Sequence, residues 1–479
     1  MSTKSRTFGI SSAIIATVFL AACVCGPEYK KPDVSDLPPA DWRWKLAAPS
    51  DAAPRGEWWK IYGDPALDKL ETEALAGNQT LKAALARIEQ ARAVARMSES
   101  YKLPTASAGA YYQHQRLSGN RPLGISMPLD VEPMDQDAHS VSVDASYELD
   151  LWGRIRHASE SDVALAEASG ADAENLRLSL TADVATTYFA IRAADMEIAA
   201  LEDGVRLRGE SAKILQERFE KELIPEIDAS RAKTELASAK ADLAAAQKSR
   251  AELFNALALL CGKAPANLEI GEGSALAADP PTVPAEAPAA LLERRPDVAA
   301  AERRLAAKCA QIGVARAAYF PNVSLVGSAG FLSTDANSLV ASDSVAWSIM
   351  PKVSVPLFTA GRTKADVRRA NAAYEEAVAN YRQAVLVAFK DVDDSLADIR
   401  FLAQQDAAQD EALKFAQETE KLARQRYDAG YVDYLTVVDA QRTVLAQKRA
   451  KAQLAAMRYA ASIHLVKALG GGAEKPANK

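Results

Sequence analysis

The chain has 479 residues, of which 49% are apolar and 25% charged, and its formal net charge is -6 with an isoelectric point near 5.6. This composition excludes a disordered chain and a bundle of membrane-spanning helices. The acidic balance argues against a nucleic-acid-binding protein. The sequence shows no metal-ligand cluster, nucleophile–base pair or Gly-rich phosphate loop, so we expect no metal, no cofactor and no enzyme activity.

The first 22 residues have the form of a lipoprotein signal peptide. Lys4 and Arg6 precede an apolar run over 8–20, which is too short to span a bilayer. The run ends in Leu-Ala-Ala-Cys, which resembles a bacterial lipobox, so Cys23 is expected to carry a diacylglyceryl group and an N-acyl chain. Acyl chains contribute ~0.8 kcal/mol per buried CH₂ and would anchor the chain stably. The alternative is ordinary cleavage near Ala22, with Cys23 incidental.

The segment 23–64 is predicted to be a lipid-anchored arm. Val24 follows the cysteine. An Asp at that place resembles an inner-membrane retention signal, so its absence points to the outer membrane. The segment is rich in Pro and Trp, which favours an extended arm lying on the body of the protein.

The remaining chain contains an internal repeat. Three pairs of residues recur 208 positions later: Gly153-Arg154 as Gly361-Arg362, Arg218-Phe219 as Arg426-Tyr427, and Cys261-Gly262 as Leu469-Gly470. Upstream the offset is 217, so nine residues are inserted, and we place them in an exposed loop over 118–137. The sequence therefore predicts one repeat over 65–262, a Pro- and Ala-rich linker over 263–288, a second repeat over 289–470 and a flexible tail over 471–479.

Each repeat is predicted to end in a very long helical hairpin. From Arg362 to Leu469 the chain has a single Gly, Gly430, and no Pro, with 68 residues before that Gly and 39 after it. Large apolar residues recur at steps of three or four, at Tyr374, Val378, Tyr381, Val385, Phe389, Val392, Leu396 and Ile399. The first arm would be ~100 Å long. Gly430 is expected to mark the turn between the two arms.

Two stretches in each repeat alternate between apolar and polar residues, most strictly over 140–151 and most weakly over 105–113. They lie within 105–113, 140–151, 323–331 and 347–357. This pattern and length are typical of tilted transmembrane β-strands with one face toward lipid. The alternative is a soluble antiparallel sheet packed on a core. Four strands leave open edges, which lipid does not tolerate, so several chains must contribute. A barrel of about eight strands is filled by its own side chains, so a conduit favours three chains or more.

Six motifs together resemble those of the TolC-like outer membrane factors, most closely the lipid-anchored NodT/OprM-like branch. They lie at 23–29 (CVCGPEY), 147–154 (YELDLWGR), 293–297 (ERRPD), 317–321 (AAYFP), 356–362 (PLFTAGR) and 426–442 (RYDAG to VVDAQR). The resemblance implies an α+β membrane protein that forms a homotrimer. Its parts would be a 12-stranded outer-membrane barrel with four strands from each chain, a long α-helical barrel in the periplasm and an equatorial belt.

The resemblance also implies a function. The chain would be the exit duct of a tripartite efflux pump, with a periplasmic adaptor protein and an inner-membrane RND-type transporter as partners. The exit of a type I protein secretion system is the alternative. The sequence does not identify the exported compound.

In the OprM-like branch the periplasmic gate is a Leu and an Asp four residues later, which match Leu435 and Asp439. This spacing places both on one helix face, where an apolar ring constricts a pore and an acidic ring selects cations. The alternative for Asp439 is a solvated position on the outer face. Asp228 and Asp433 are weaker gate candidates.

Two further sets of residues have predicted structural tasks. The tip around Arg218, Arg426 and Gly430 is expected to dock the adaptor. The pairs Gly153-Arg154 and Gly361-Arg362 are expected to form sharp strand-to-helix turns, because a residue without a Cβ suits such a turn.

Overall fold

The computed structural model describes residues 25–32, 56–118, 133–270, 276, 279–281 and 295–471. The predicted signal peptide, Cys23, the middle of the predicted 118–137 loop and most of the predicted linker and tail lie outside these residues. By its internal contacts the chain divides into two units. The first combines 1–32, 89–168 and 302–380, and the second combines 33–88, 169–301 and 381–479.

The first unit contains one four-stranded antiparallel sheet in the order β1-β2-β3-β4. The strands are β1 (Thr105–Leu117), β2 (Met134–Leu149), β3 (Asn322–Ser333) and β4 (Val345–Ser354). The four predicted strands are therefore present.

The predicted loop over 118–137 was too long at its end, because β2 begins at Met134, and the predicted strand over 105–113 was too short, because β1 continues to Leu117. Oppositely charged side chains face each other along this extension. Arg116 lies 3.7 Å from Asp135, and His114 lies 2.8 Å from Asp137. Such cross-strand pairs support strand structure without apolar alternation.

The register brings the alternating patterns of the four strands onto common faces. One cross-strand row joins Ala108, Val143, Ala329 and Trp347, and the next joins Ala106, Ala145, Gly327 and Ile349. The opposite face carries rows such as Ser107, Asp144, Ser328 and Ser348. Because partners in a row share a face, the sheet has one apolar and one polar surface. Trp347 is 72% exposed on the apolar surface.

In the described ranges the α-helices form two long hairpins and three shorter elements. The shorter ones are α1 (Pro65–Gly77), α2 (Gln79–Ser100) and α5 (Pro296–Ala317). The hairpins are α3 (Arg154–Glu220) with α4 (Glu226–Leu260), and α6 (Arg362–Asp428) with α7 (Tyr434–Ala468). In both hairpins the arms have 67 and 35 residues. None of the helices in the described ranges combines the length and apolarity required to cross a membrane.

The second unit has an aromatic core beside α1. Trp58–Tyr62 form a 3₁₀-helix with both tryptophans buried. The Tyr62 ring lies 5.1 Å from that of Phe189 and 6.0 Å from that of Tyr459. The prediction of an extended arm to residue 64 was therefore wrong for this part, because large apolar rings are more stable in a core than on a surface. Asp64 then caps α1 by accepting from the Ala66 N–H at 2.9 Å.

Residues 25–32 of the arm pack within the first unit. The Cys25 N–H donates to the Trp152 carbonyl at 3.3 Å, and Lys31 Nζ lies 3.1 Å from a carboxylate oxygen of Glu302. Gly26 lies against the buried ring of His157. Residues 25–32 are thus held next to the junction of β2 and α3.

Candidate functional site

The two hairpin tips end their long helices with the same backbone motif. At the end of α6, Gly430 has φ of 79°, and its N–H donates to the Tyr427 carbonyl at 2.9 Å while the Tyr431 N–H donates to that of Arg426 at 2.8 Å. This is a Schellman ending with a glycine in the left-handed position. At the end of α3 the same two bonds form around Glu222, whose φ is 56°. The first tip therefore places a strained non-glycine residue where the second has Gly430.

The helices that leave the tips begin differently. Asp433 caps α7, and its carboxylate accepts from the Thr436 N–H at 3.1 Å and from the Thr436 hydroxyl at 2.7 Å. These bonds hold the pKa of Asp433 below its usual value. Pro225 precedes α4 without a side-chain cap, and Asp228 lies half-buried in the first turn. The Asp433 carboxylate is therefore engaged in capping α7. Asp228 lies at the N-terminal end of α4, which is the positive end of the helix dipole.

Leu435 and Asp439 lie one turn apart at the start of α7. The Leu435 side chain is 40% exposed and that of Asp439 is 61% exposed. Their neighbours Val437, Val438 and Ala440 are buried. The helix thus turns its apolar side inward and presents Leu435 and Asp439 on its exposed face.

An ion-pair cluster that sequence reasoning missed lies next to Asp439. Arg442 Nη1 is 3.5 Å from Asp439 Oδ1, and Arg442 Nε donates to Glu235 Oε2 at 3.0 Å. Arg442 Nη2 also bonds the second oxygen of Glu235. Arg208 Nε lies 3.9 Å from Glu235. Side chains of α3, α4 and α7 therefore meet here, and no local sequence spacing signals a pairing between residues 207 positions apart.

The predicted docking residues lie at both tips. Arg218 Nη1 lies 3.3 Å from the Tyr427 hydroxyl, so the ends of α3 and α6 contact each other. Arg426 is exposed in the last turn of α6. Tyr431, which was not predicted, is 82% exposed at the same turn.

The predicted strand-to-helix turns have left-handed glycines. The φ of Gly153 is 79° and that of Gly361 is 83°, a conformation that disfavours other residues. Arg154 donates to both carboxylate oxygens of Glu148, at 2.9 and 2.8 Å. Arg362 is exposed at the start of α6. The turn after β2 is thus reinforced by a two-point ion pair.

A profile of the outer membrane efflux proteins matches residues 70–263 and 287–471, which are the two repeats. The chain belongs to this family.

Individual family members are similar over almost their whole length. The chain is 33% identical to the solvent efflux pump outer membrane protein SrpC of Pseudomonas putida, covering 96% of this chain and 98% of SrpC. It is 30% identical to the probable outer membrane lipoprotein SilC of Salmonella typhimurium, covering 97% of this chain and 99% of SilC. The solved structure of the outer-membrane channel OprN superposes with a TM-score of 0.82 at 30% identity, covering 94% of this chain and 99% of the OprN chain.

As an outer membrane efflux protein, the chain has the α+β fold of the trimeric channels in this family and is a transport component without enzyme activity. It is an outer-membrane component of an efflux pump. The four-stranded sheet is then the part that lies in the membrane, since its apolar surface suits lipid and its polar surface suits a lumen. Among the described residues no group of His, Cys, Asp and Glu could hold a metal ion.

Proposed function

We propose that this chain forms the exit duct of a tripartite pump that expels drugs or other small toxic solutes. The observation that carries the proposal is the sheet, whose rows are apolar on one surface and mainly polar on the other. Strands β1 and β4 are its edges. Edges cannot remain open in lipid, so neighbouring chains supply the missing partners and enclose a water-filled lumen.

The solute class is supported by relatives. SrpC is named a solvent efflux pump protein. Type I protein secretion has less support, because the similar proteins are components of efflux pumps. In this proposal the inner-membrane partner is an RND-type transporter, and a periplasmic adaptor joins it to the duct.

The proposed gate consists of Leu435 and Asp439. Both side chains are exposed on one face of α7 while the flanking valines are buried. Copies from several chains would form an apolar ring with an acidic ring one turn away. Such a pair would narrow the pore and favour cations.

Single-channel conductance in planar bilayers tests the gate. Leu435→Ala should raise the conductance of the assembled channel, because a smaller side chain widens the apolar ring, and Asp439→Asn should lower its preference for cations. Asp433→Asn is the matched control, because Asn still caps a helix and only the charge is lost. Asp433→Asn should behave as wild type. The assignment fails if Leu435→Ala leaves the conductance unchanged and Asp439→Asn leaves the cation preference unchanged.

The proposed adaptor-docking surface is the pair of tips at Arg218, Arg426 and Gly430. Its support is that the tips touch through Arg218 and Tyr427 and leave Tyr431 exposed. Cysteines at positions 426 and 431 should cross-link to a co-expressed adaptor. Leu259→Cys is the control, since Leu259 is 76% exposed at the other end of α4. Cross-links from position 259 alone would contradict tip docking.

The proposed lipid anchor on Cys23 rests on the sequence and on the arm. Cys25 bonds the Trp152 carbonyl beside the strand-to-helix junction. Cys23 is two residues earlier, and two extended residues span at most ~7 Å. Mass spectrometry of the mature N-terminal peptide should find three acyl chains in wild type and in Cys25→Ala and none in Cys23→Ala. An unmodified Cys23 would refute the anchor.

A further inference from the structure

The side chain of Arg208 is buried in the α3–α4 hairpin without a matching acceptor. It is 9% exposed. Within the described part of the chain its guanidinium forms no hydrogen bond, and its contact with Glu235 is at 3.9 Å, beyond hydrogen-bonding distance. Both oxygens of Glu235 are already bonded by Arg442. Arg208 therefore has up to five N–H donors to satisfy.

Arg208 lines a cavity of about 220 Å³ between α3, α4 and α7. One water needs only ~10–15 Å³ of such a cavity, so there is room for a small polyatomic ion. Arg442 and Arg449 also line this cavity. Gly204, one turn before Arg208, leaves space for the guanidinium, because a Cβ there would lie 3.2 Å from Arg208 Nη1.

The charges around the cavity are not evenly matched. Arg442 is paired with Glu235, and Arg449 Nε donates to Glu197 at 2.7 Å. The remaining acid of the lining, Asp242, is exposed to solvent. Arg208 is thus the buried cation with the weakest pairing in this cluster. Leaving a buried charge without hydrogen bonds is costly.

We propose that this cavity binds a small oxyanion such as sulfate, phosphate or a short carboxylate, held by the guanidinium of Arg208. The planar fork of arginine matches two oxygens of such an anion, and its bonds to an anion are stronger than those to water. A bound anion would join α3, α4 and α7. The cavity shares Arg442 with the contact to Asp439, but the proposal does not rest on the gate assignment or on the exported solute.

Anomalous diffraction from crystals of the full channel soaked in selenate tests the site directly. Wild type should show a selenium peak beside the Arg208 guanidinium. Arg206→Gln is the control, because Arg206 is on the same helix but is 60% exposed and pairs with Asp203 and Glu210. It should keep the peak, and Arg208→Gln should lose it. A wild-type cavity that holds only water, or a peak that persists in Arg208→Gln, would overturn the proposal.

Calorimetric titration of the detergent-purified channel with sodium sulfate at constant ionic strength gives a second measurement. Wild type and Arg206→Gln should show the same saturable binding. Arg208→Lys, which keeps the charge but not the fork, should bind at least tenfold more weakly. Equal binding by wild type and Arg208→Lys would show that the fork does not hold the anion.

Discussion

Arg442 on α7 holds Glu235 on α4 through both of its carboxylate oxygens, with 3.0 Å between Arg442 Nε and Glu235 Oε2. The carboxylate is 11% exposed and the guanidinium 54% exposed. The last helix of the second repeat is therefore attached to the last helix of the first, next to the proposed gate at Asp439.

Removing the arginine from this pair should destabilise the protein. Arg442→Gln leaves the largely buried carboxylate of Glu235 without its hydrogen bonds and with only Arg208 nearby, at 3.9 Å, and losing such bonds typically costs about 1–3 kcal/mol. Denaturant unfolding of the purified channel would measure the loss. Arg206→Gln removes only exposed pairs and should stay within about 1 kcal/mol of wild type. Equal losses of stability in the two variants would show that the Arg442–Glu235 pair contributes no more than the exposed pairs of Arg206.

A second prediction concerns Glu71, whose side chain is fully buried in α1. Among the described residues neither carboxylate oxygen has a hydrogen-bond partner. Burial, and to a lesser extent the charge of Asp68, raises the pKa of Glu71 to about 9. The acid is therefore protonated in the folded protein at neutral pH, whereas in an unfolded chain it ionises near pH 4.5.

The sign of the pH effect follows from this difference. Since the folded pKa is the higher one, the contribution of Glu71 to stability is fully present below about pH 4.5 and declines as the pH rises to about 9. Glu71→Gln removes the titration, so its stability relative to wild type should increase across this range by a few kcal/mol.

Unfolding temperatures of wild type and Glu71→Gln in detergent at pH 5, 7 and 9 check this prediction. Glu73→Gln is the control, since Glu73 is on the same helix but is paired with Lys263 at 2.8 Å. A constant difference between wild type and Glu71→Gln at all three pH values would show that Glu71 does not titrate with a raised pKa.

The sequence predicted the large elements well, because each has a strong and repeated physical signal. The absence of Gly and Pro before Gly430 indicated a long helix, and α6 runs over Arg362–Asp428. Strict alternation located the strands. The ends of β1 and β2 were missed because they depend on cross-strand charge pairs such as Arg116 with Asp135, and the register that creates these pairs is not visible in a single strand.

The polar contacts between helices could not be predicted. Glu71 is an acidic residue next to Leu70 in α1. Glutamates usually lie on the surface, yet Glu71 is buried. The pairing of Glu235 with Arg442 and the burial of Arg208 require the relative rotation of three helices. A periodic apolar pattern shows which side of a helix faces the core. The apolar stripe is too wide to fix the rotation of the helix about its axis, so the polar contacts cannot be predicted from it.

The last prediction concerns the packing of the arm against His157. The ring of His157 lies between Gly26 of the arm and Gly313 of α5. A Cβ at Gly26 would overlap His157 Nε2, and one at Gly313 would overlap His157 Cδ2. Real Cβ atoms do not approach so closely, so Gly26→Ala should displace the arm and expose the bond after Lys30 to trypsin.

The rate of tryptic cleavage after Lys30 in the folded channel is the measurement. Gly26→Ala should be cut faster than wild type, whereas Gly170→Ala, with no atom within 4 Å of the added Cβ, should not. Adding His157→Ala to Gly26→Ala removes the ring and should restore slow cleavage, because the clash that displaced the arm is gone. If the double variant is cut as fast as Gly26→Ala, the arm is held by the Cys25 and Lys31 contacts instead, and the ring of His157 does not determine its position.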